Sequence, residues 1–159
     1  MATVTIITVG TLKEAYLRDA VAEYKKRLSQ YARVEEIELK EERINDENNR
    51  AEIVAALDKE ADKILSAIPK DSMKIALCVE GRQYSSEELA ELISTGNDRS
   101  GKISFIIGSS YGLSERVKRE CDIRLSFSKL TFPHQLMKVI LFESVYRSFT
   151  IIHGKRYHK

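Results

Sequence analysis

The 159-residue chain is long enough for one domain with a buried core, and 43% hydrophobic with 31% charged residues excludes a disordered or fibrous protein. Only 7 Gly and 2 Pro leave little room for linkers, and no apolar run reaches the roughly 20 residues that span a bilayer. The net charge of +2 conceals an asymmetry: residues 124–159 hold Arg124, Lys129, Lys138, Arg147, Lys155, Arg156 and Lys159 against a single acid, Glu143. Such a basic end suits either a polyanionic partner met at one face or a solvated surface that happens to be basic.

Thr3 to Val9 is β-branched and bounded by Gly10, which predicts a strand. From Lys13 to Tyr31, Tyr16, Ala20, Tyr24 and Leu28 recur at every fourth position, with Leu17 and Val21 beside them. That spacing predicts a helix with one buried stripe. Arg33 to Leu39 alternates imperfectly and is expected to be a strand; Glu41 to Asn49 is polar and reads as a loop or helix approach. Ile53, Leu57, Ala61, Ile64, Leu65 and Ile68 trace a second amphipathic helix, stopped by Pro69. Met73 to Val79 is an apolar strand ending at Glu80-Gly81, and Ser85-Ser86-Glu87-Glu88 offers a capping box for a short helix to about Ser94. Ile103 to Gly108 predicts another buried strand, Ser114 to Glu120 a short helix, and Ile123 to Phe127 a fifth strand. The last helix is expected to start near Pro133, a favourable first-turn residue, and to run to about Thr150, leaving His153 to Lys159 as a tail.

Strands alternating with helices imply a largely parallel sheet covered on both faces, in a single α/β domain over residues 1–159. Ligands of such sheets bind beyond the carboxyl ends of strands, and Gly10, Gly81 and Gly108 lie at those ends. Several chemistries lack their motif. There is no GxxxxGK[ST] loop, no glycine-repeated dinucleotide fingerprint after the first strand, and no GxSxG elbow. His134, His153 and His158 show no metal-ligand spacing, so no metal is expected. Cys78 and Cys121 form no CxxC pair and read as buried free thiols of a reducing, cytoplasmic compartment. The start, Met1-Ala2-Thr3-Val4, shows no basic segment leading into an apolar stretch, so no export signal is expected.

Three strand ends carry unusual loops: Val79-Glu80-Gly81, then Ile107-Gly108-Ser109-Ser110-Tyr111-Gly112-Leu113, then Leu125 to Gln135. Each alone is compatible with an ordinary turn. Together, IGSSYGL, LSFSKLTFPHQLMKVILFESVYRSF and the terminal Tyr157-His158-Lys159 resemble the RlmH family of large-subunit ribosomal RNA methyltransferases, of the SPOUT class. The resemblance runs the whole chain, from VTIITVGTLKEAYLRDAVAEYKKRL to the end, densest after Phe105 and weakest between Lys40 and Ile64.

That resemblance implies a SPOUT α/β fold whose C-terminal segment threads a trefoil knot, a feature otherwise almost absent from proteins. It implies a homodimer that holds S-adenosylmethionine in the knot and methylates N3 of a pseudouridine in a 23S rRNA stem-loop, in the assembled ribosome. It places the cofactor on Leu77, Gly108 and the run Phe127, Ser128, Lys129, Leu130, Thr131 and Phe132. Backbone groups near Leu77, Gly108 and Leu130 suit an adenine edge, with Leu77 and Leu130 as apolar walls; Phe127 and Phe132 either face the pocket or anchor the loop. Family members often carry a second glycine where this chain has Ser109, which matters if the backbone there needs positive φ or tight clearance.

Methyl transfer to an imino nitrogen needs in-line approach and loss of a proton. His158 and Tyr157 match the family's functional end and are the catalytic candidates; RNA binding is the other role open to them. Arg147, Lys155, Arg156 and Lys159 are candidates for phosphate contacts, and Tyr157 for stacking on an unpaired base. His134 is expected to cap or pack the last helix, and Glu143 to pair with Arg147 at i+4. A tail from one subunit could complete the site above its partner's cofactor. The rival reading is a non-catalytic RNA-binding or ribosome-associated module, which explains the basic tail but not the glycine-ended strands.

Overall fold

A computed structural model describes residues 1–159. Its elements are β1 (Ala2–Val9), α1 (Ala15–Leu28), β2 (Ala32–Leu39), α2 (Arg50–Ala67), β3 (Met73–Gln83), α3 (Ser86–Arg99), β4 (Lys102–Ile107), α4 (Glu115–Glu120), β5 (Ile123–Ser126) and α5 (His134–Ile152). The five strands form one sheet in the order β2-β1-β4-β3-β5, and all four pairings are parallel. The α/β reading is thus realised as three layers. One face of the sheet packs α1, α3 and α5 through Val21, Leu28, Leu89, Ile93, Phe142 and Val145; the other packs α2 and α4 through Ala61, Ile64 and Val117.

Position in the sheet explains the sequence of each strand. Central β1 and β4 are covered on both sides, so Ile6, Ile7, Phe105 and Ile106 are all fully buried and the strands read as continuous apolar runs. Edge strand β2 alternates imperfectly because Glu36 and Glu38 occupy its half-covered face, where they meet Lys25 and Lys138. Burial at the centre is the main source of stability, about 25 cal/mol for each Å² of apolar surface removed from water.

Several details differ from the sequence expectation. In α1 the buried stripe is Leu17, Val21 and Leu28, with Tyr24 packed beside it, while Tyr16 is exposed. The period of 3.6 residues carries the stripe along 17, 21, 24 and 28 and turns position 16 outward. The capping box of α3 forms as expected from Ser85 and Glu88, but the helix continues to Arg99, because buried Gly96 packs against the sheet without breaking it. The last helix starts beside Pro133 as expected, but the proline is the N-cap of α5 rather than a first-turn residue, and its carbonyl accepts the Met137 N–H at 2.9 Å. Finally, β3 runs on through Gly81 to Gln83 by way of a β-bulge between Leu77 and Arg82.

Candidate functional site

Parallel alignment sends the carboxyl ends of β3, β4 and β5 to one rim of the sheet, and their loops enclose a cavity of about 720 Å³. Leu77 to Glu80 form one wall, Ile107 to Leu113 the second, and Phe127, Ser128, Leu130, Thr131, Phe132 and Pro133 the third. Lys118 of α4 and His134 and Met137 of α5 close the gaps. The volume falls in the range of small-molecule sites, about 300 to 1,000 Å³.

Local sequence explains each wall. The β3 bulge lets Gly81 pass close to β5, where a Cβ would lie 2.7 Å from the Arg124 carbonyl oxygen. A Cβ on Gly108 would run into the backbone of Gly112, so glycine there keeps the turn after β4 folded on itself. Ser109 accepts the Tyr111 N–H on its hydroxyl at 3.4 Å and is buried. Its φ is not positive, the only such non-glycine residue being Asp71, so a side chain at 109 is accommodated without strain. Beyond β5 the chain is held by its serines: the Ser126 hydroxyl donates to the Ser128 carbonyl at 3.1 Å, and the Leu130 N–H donates to the Ser128 hydroxyl at 3.0 Å. Leu130 is 72% exposed at the mouth.

The charged groups of the cavity neutralise each other. The Lys118 ammonium donates to the Glu80 carboxylate, which holds Glu80 below the usual carboxylate range. Burial is the largest influence and pushes the Lys118 pKa down, but the hydrogen bonds and charges of Glu80 and Glu115 together outweigh it and the net shift is upward. Apart from the His134 imidazole and the Cys78 thiol, the rest of the lining is apolar or hydroxylic, suited to a flat heteroaromatic ring held by backbone groups. No group of three or more His, Cys, Asp or Glu side chains is placed to hold a metal.

Of the residues expected to hold the cofactor, Leu77, Gly108, Phe127, Ser128, Leu130, Thr131 and Phe132 line the cavity; Lys129 is exposed and does not. His134 makes no capping bond. It lines the cavity instead, with its Nε2 and Glu41 Oε2 each within 4 Å of where a Gly10 Cβ would stand. Glu80 and His134 line it as members of the loops singled out in the sequence, whereas Cys78, Lys118 and Met137 are lining residues outside those loops. Cys78 carried a signal, since it follows Leu77 directly; Lys118 carried none. Cys78 and Cys121 are both free and half-buried.

The tail lies elsewhere. The Tyr157 hydroxyl donates to Glu143 at 3.1 Å, and Arg147 grips the same carboxylate at 2.6 Å, as the i+4 spacing predicted. His158 is fixed on both ring nitrogens, Nδ1 3.2 Å from the Arg147 guanidinium and Nε2 2.9 Å from Glu87 Oε1. A guanidinium only donates, so Nδ1 accepts and Nε2–H donates to Glu87. Burial, reinforced by Glu143 and Tyr24, pushes the Tyr157 phenol up to about 12. None of residues 155–159 lines the cavity, and Arg147 stands about 20 Å along α5 from His134 at 1.5 Å per residue. Lys129, Lys155, Arg156 and Lys159 make no ion pair, whereas Arg147 is taken up by Glu143. No helix is long and apolar enough to cross a membrane.

A parallel sheet with three loops gathered over one rim, a glycine-cradled turn and a long C-terminal helix define a SPOUT methyltransferase, and the family model described as "Predicted SPOUT methyltransferase" matches residues 2–158. A solved structure of a probable methylase family protein from Haemophilus influenzae shares the fold, with a TM-score of 0.56 at 14% identity over 98% of this chain and 70% of that one. Two proteins named ribosomal RNA large subunit methyltransferase H are much nearer in sequence. That of Caldicellulosiruptor bescii is 52% identical over 98% of this chain and 99% of its own; that of Shouchella clausii is 48% identical with the same coverage. The chain belongs to the ribosomal RNA large subunit methyltransferase H family within the SPOUT methyltransferases.

Proposed function

We propose that this protein transfers a methyl group from S-adenosylmethionine to N3 of a pseudouridine in a 23S rRNA stem-loop, working in the cytoplasm as a homodimer on the large ribosomal subunit. The observation that carries the proposal is the convergence of the β3, β4 and β5 loops on one cavity of about 720 Å³, with Gly108 allowing the turn after β4 to fold tightly against Gly112 at its wall. The names of the relatives support the substrate class. Bound S-adenosylmethionine supplies a sulfonium-activated methyl group, so orientation can provide much of the acceleration.

The chain's own residues do the rest. Leu77 and Leu130 give apolar walls, the backbone at Gly108 and Leu130 reads the adenine edge, and Phe127, Ser128, Thr131 and Phe132 shape the closing loop. That loop and α5 form the trefoil knot which the family resemblance implies. Tyr157 and His158 act from the partner subunit: within one chain they sit far down α5, engaged with Glu143, Arg147 and Glu87. Dimerisation would set them above the other cavity, where His158 can take the N3 proton once its nitrogens are released. Lys129, Lys155, Arg156 and Lys159 remain free for RNA phosphates, with Arg147 as support for the tail.

The deciding experiment is methyl transfer from radiolabelled S-adenosylmethionine to ribosomes lacking the modification, with mass spectrometry of the 23S rRNA. Label at N3 of one pseudouridine is expected. Binding of S-adenosylhomocysteine without any transfer to RNA would refute the substrate, and absence of binding would refute the donor site.

A further inference from the structure

The cavity holds two fixed charges, and they come from different elements. Among its lining residues, Glu80 and Lys118 are the only ones of the Asp, Glu, Lys and Arg types. Glu80 belongs to the bulge of β3, where the register against β5 shifts between Leu77 and Arg82. A bulge re-aims the side chains it carries, and here it brings a carboxylate to the cavity with its side chain 53% exposed. Lys118 comes from α4, a helix of six residues. That helix is pinned without Lys118: Val117 is fully buried, and Arg116 pairs with Asp58 at 3.0 Å and Asp62 at 2.7 Å on α2.

Lys118 Nζ donates to Glu80 and also stands 3.4 Å from Glu115, whose other oxygen lies 3.9 Å from Arg124. Carboxylates and cations therefore alternate along this edge of the cavity, from Glu80 to Arg124. The Glu80 pKa is shifted down and the Lys118 pKa up, so both groups are ionised at neutral pH. An adenine ring has no use for such a pair, since the walls at Leu77, Gly108 and Leu130 offer it backbone groups and apolar surface. The other end of the donor has different chemistry: an α-ammonium and an α-carboxylate on one carbon. A site for that end needs an anion and a cation side by side, because either charge taken from water without a partner is costly.

We propose that Glu80 and Lys118 bind the amino-acid end of the methyl donor, Glu80 taking its α-ammonium and Lys118 its α-carboxylate. The inference rests on the donor-site reading and adds which residues hold which end of the molecule. Every fixed charge keeps an opposite partner in the bound state: Glu115 has Arg124, Lys118 the ligand's carboxylate and Glu80 its ammonium.

Calorimetric titration with two probes tests the proposal. S-adenosylhomocysteine carries the amino-acid end; 5′-methylthioadenosine keeps the adenosine and the thioether but lacks that end. Neither is a sulfonium, so attraction between Glu80 and a positive sulfur does not enter. Wild type is expected to bind S-adenosylhomocysteine about tenfold more tightly than methylthioadenosine. K118M and E80Q should each weaken S-adenosylhomocysteine about tenfold, the loss of one charge-assisted hydrogen bond, and methylthioadenosine by no more than about twofold. Equal losses for both probes overturn the proposal, since the pair then merely shapes the wall or reads the ribose. Unchanged binding of both probes to both variants overturns it too. Wild type binding the two probes equally sinks this inference and leaves the donor-site reading intact; wild type binding neither sinks both. Should K118M not fold, E80Q, made on a half-exposed side chain, carries the same comparison.

Discussion

Lys138 Nζ lies 3.0 Å from Glu36 Oε2, joining the second turn of α5 to edge strand β2 although the two residues are far apart in sequence. The lysine side chain is 3% exposed and also reaches Glu38 at 3.4 Å, so a charge that the sequence presents as part of a basic end is spent inside the fold. Removing one partner from a buried pair leaves the other uncompensated. K138M is therefore expected to lower stability by about 2 kcal/mol, discounted from the fully buried case because Glu38 is partly solvated. Denaturant unfolding measures it.

The same pair sets an acid sensitivity. Burial alone would raise the Glu36 pKa, yet hydrogen bonds from Lys25 and Lys138 outweigh it and hold the carboxyl below its usual range. A carboxylate lowered on folding contributes stability that is fully present above its unfolded pKa, about 4.3, and lost as pH falls through the folded value. Thermal melts from pH 7 to pH 3 should therefore show a shallower acid loss in E36Q than in wild type. An equal slope removes Glu36 from the account.

Gly108 is expected to be indispensable to the cavity. In G108A the new methyl meets Gly112 backbone and must displace the turn, so S-adenosylhomocysteine affinity should fall by about a hundredfold, the scale of 3 kcal/mol of misplacement. Circular dichroism separates this from unfolding: the spectrum should be retained. A mixed dimer of G108A with a chain truncated before Tyr157 should regain one working site if tails act across the interface. Persistent inactivity of that dimer, with both parents folded, refutes cross-subunit completion.

Ion pairing divides the basic residues into two groups with different signatures. Replacing Lys129, Lys155, Arg156 or Lys159 by alanine should each reduce the salt slope of RNA binding by about 0.7 to 0.9 where a phosphate contact is lost. Because Arg147 is bound to Glu143 at 2.6 Å and faces His158, R147A should instead free the tail. Increased proteolysis after Ile152 with a nearly unchanged slope is the expected result.

The cysteines offer a map of the donor site without RNA. Desolvation pushes the Cys121 thiol up to about 11 and raises Cys78 as well, so both should alkylate slowly near pH 7 and faster as pH rises. Only Cys78 lines the cavity. S-adenosylhomocysteine should protect Cys78 and leave the Cys121 rate unchanged; equal protection of both, or of neither, argues for another binding place.

The strands were legible because β1 and β4 are buried on both faces and therefore spell unbroken apolar runs. The Ser85–Glu88 cap and the Glu143–Arg147 pair were legible because both are local, fixed by spacing along one helix. What escaped was non-local. Nothing near Lys118 announces that α4 will bring it to Glu80. Tyr16 was misassigned by a period of four where the helix turns in 3.6. The cavity loops were marked in the sequence by glycines and serines, but their convergence follows from strand order.

That order has a further consequence for how the chain comes together. β1 and β2 are made first, yet β1 finds its second neighbour only when Lys102–Ile107 arrives and inserts between it and β3. Until then a growing chain carries an open, strongly apolar edge at Val4, Ile6 and Ile7, the kind of surface on which nascent polypeptides associate wrongly. Insertion of β4 joins the two halves of the sheet, and only afterwards do β5 and α5 close over the rim. The loops that enclose the cavity are thus completed only after the sheet has been joined, and any chain that stalls before β5 presents a sheet with no pocket.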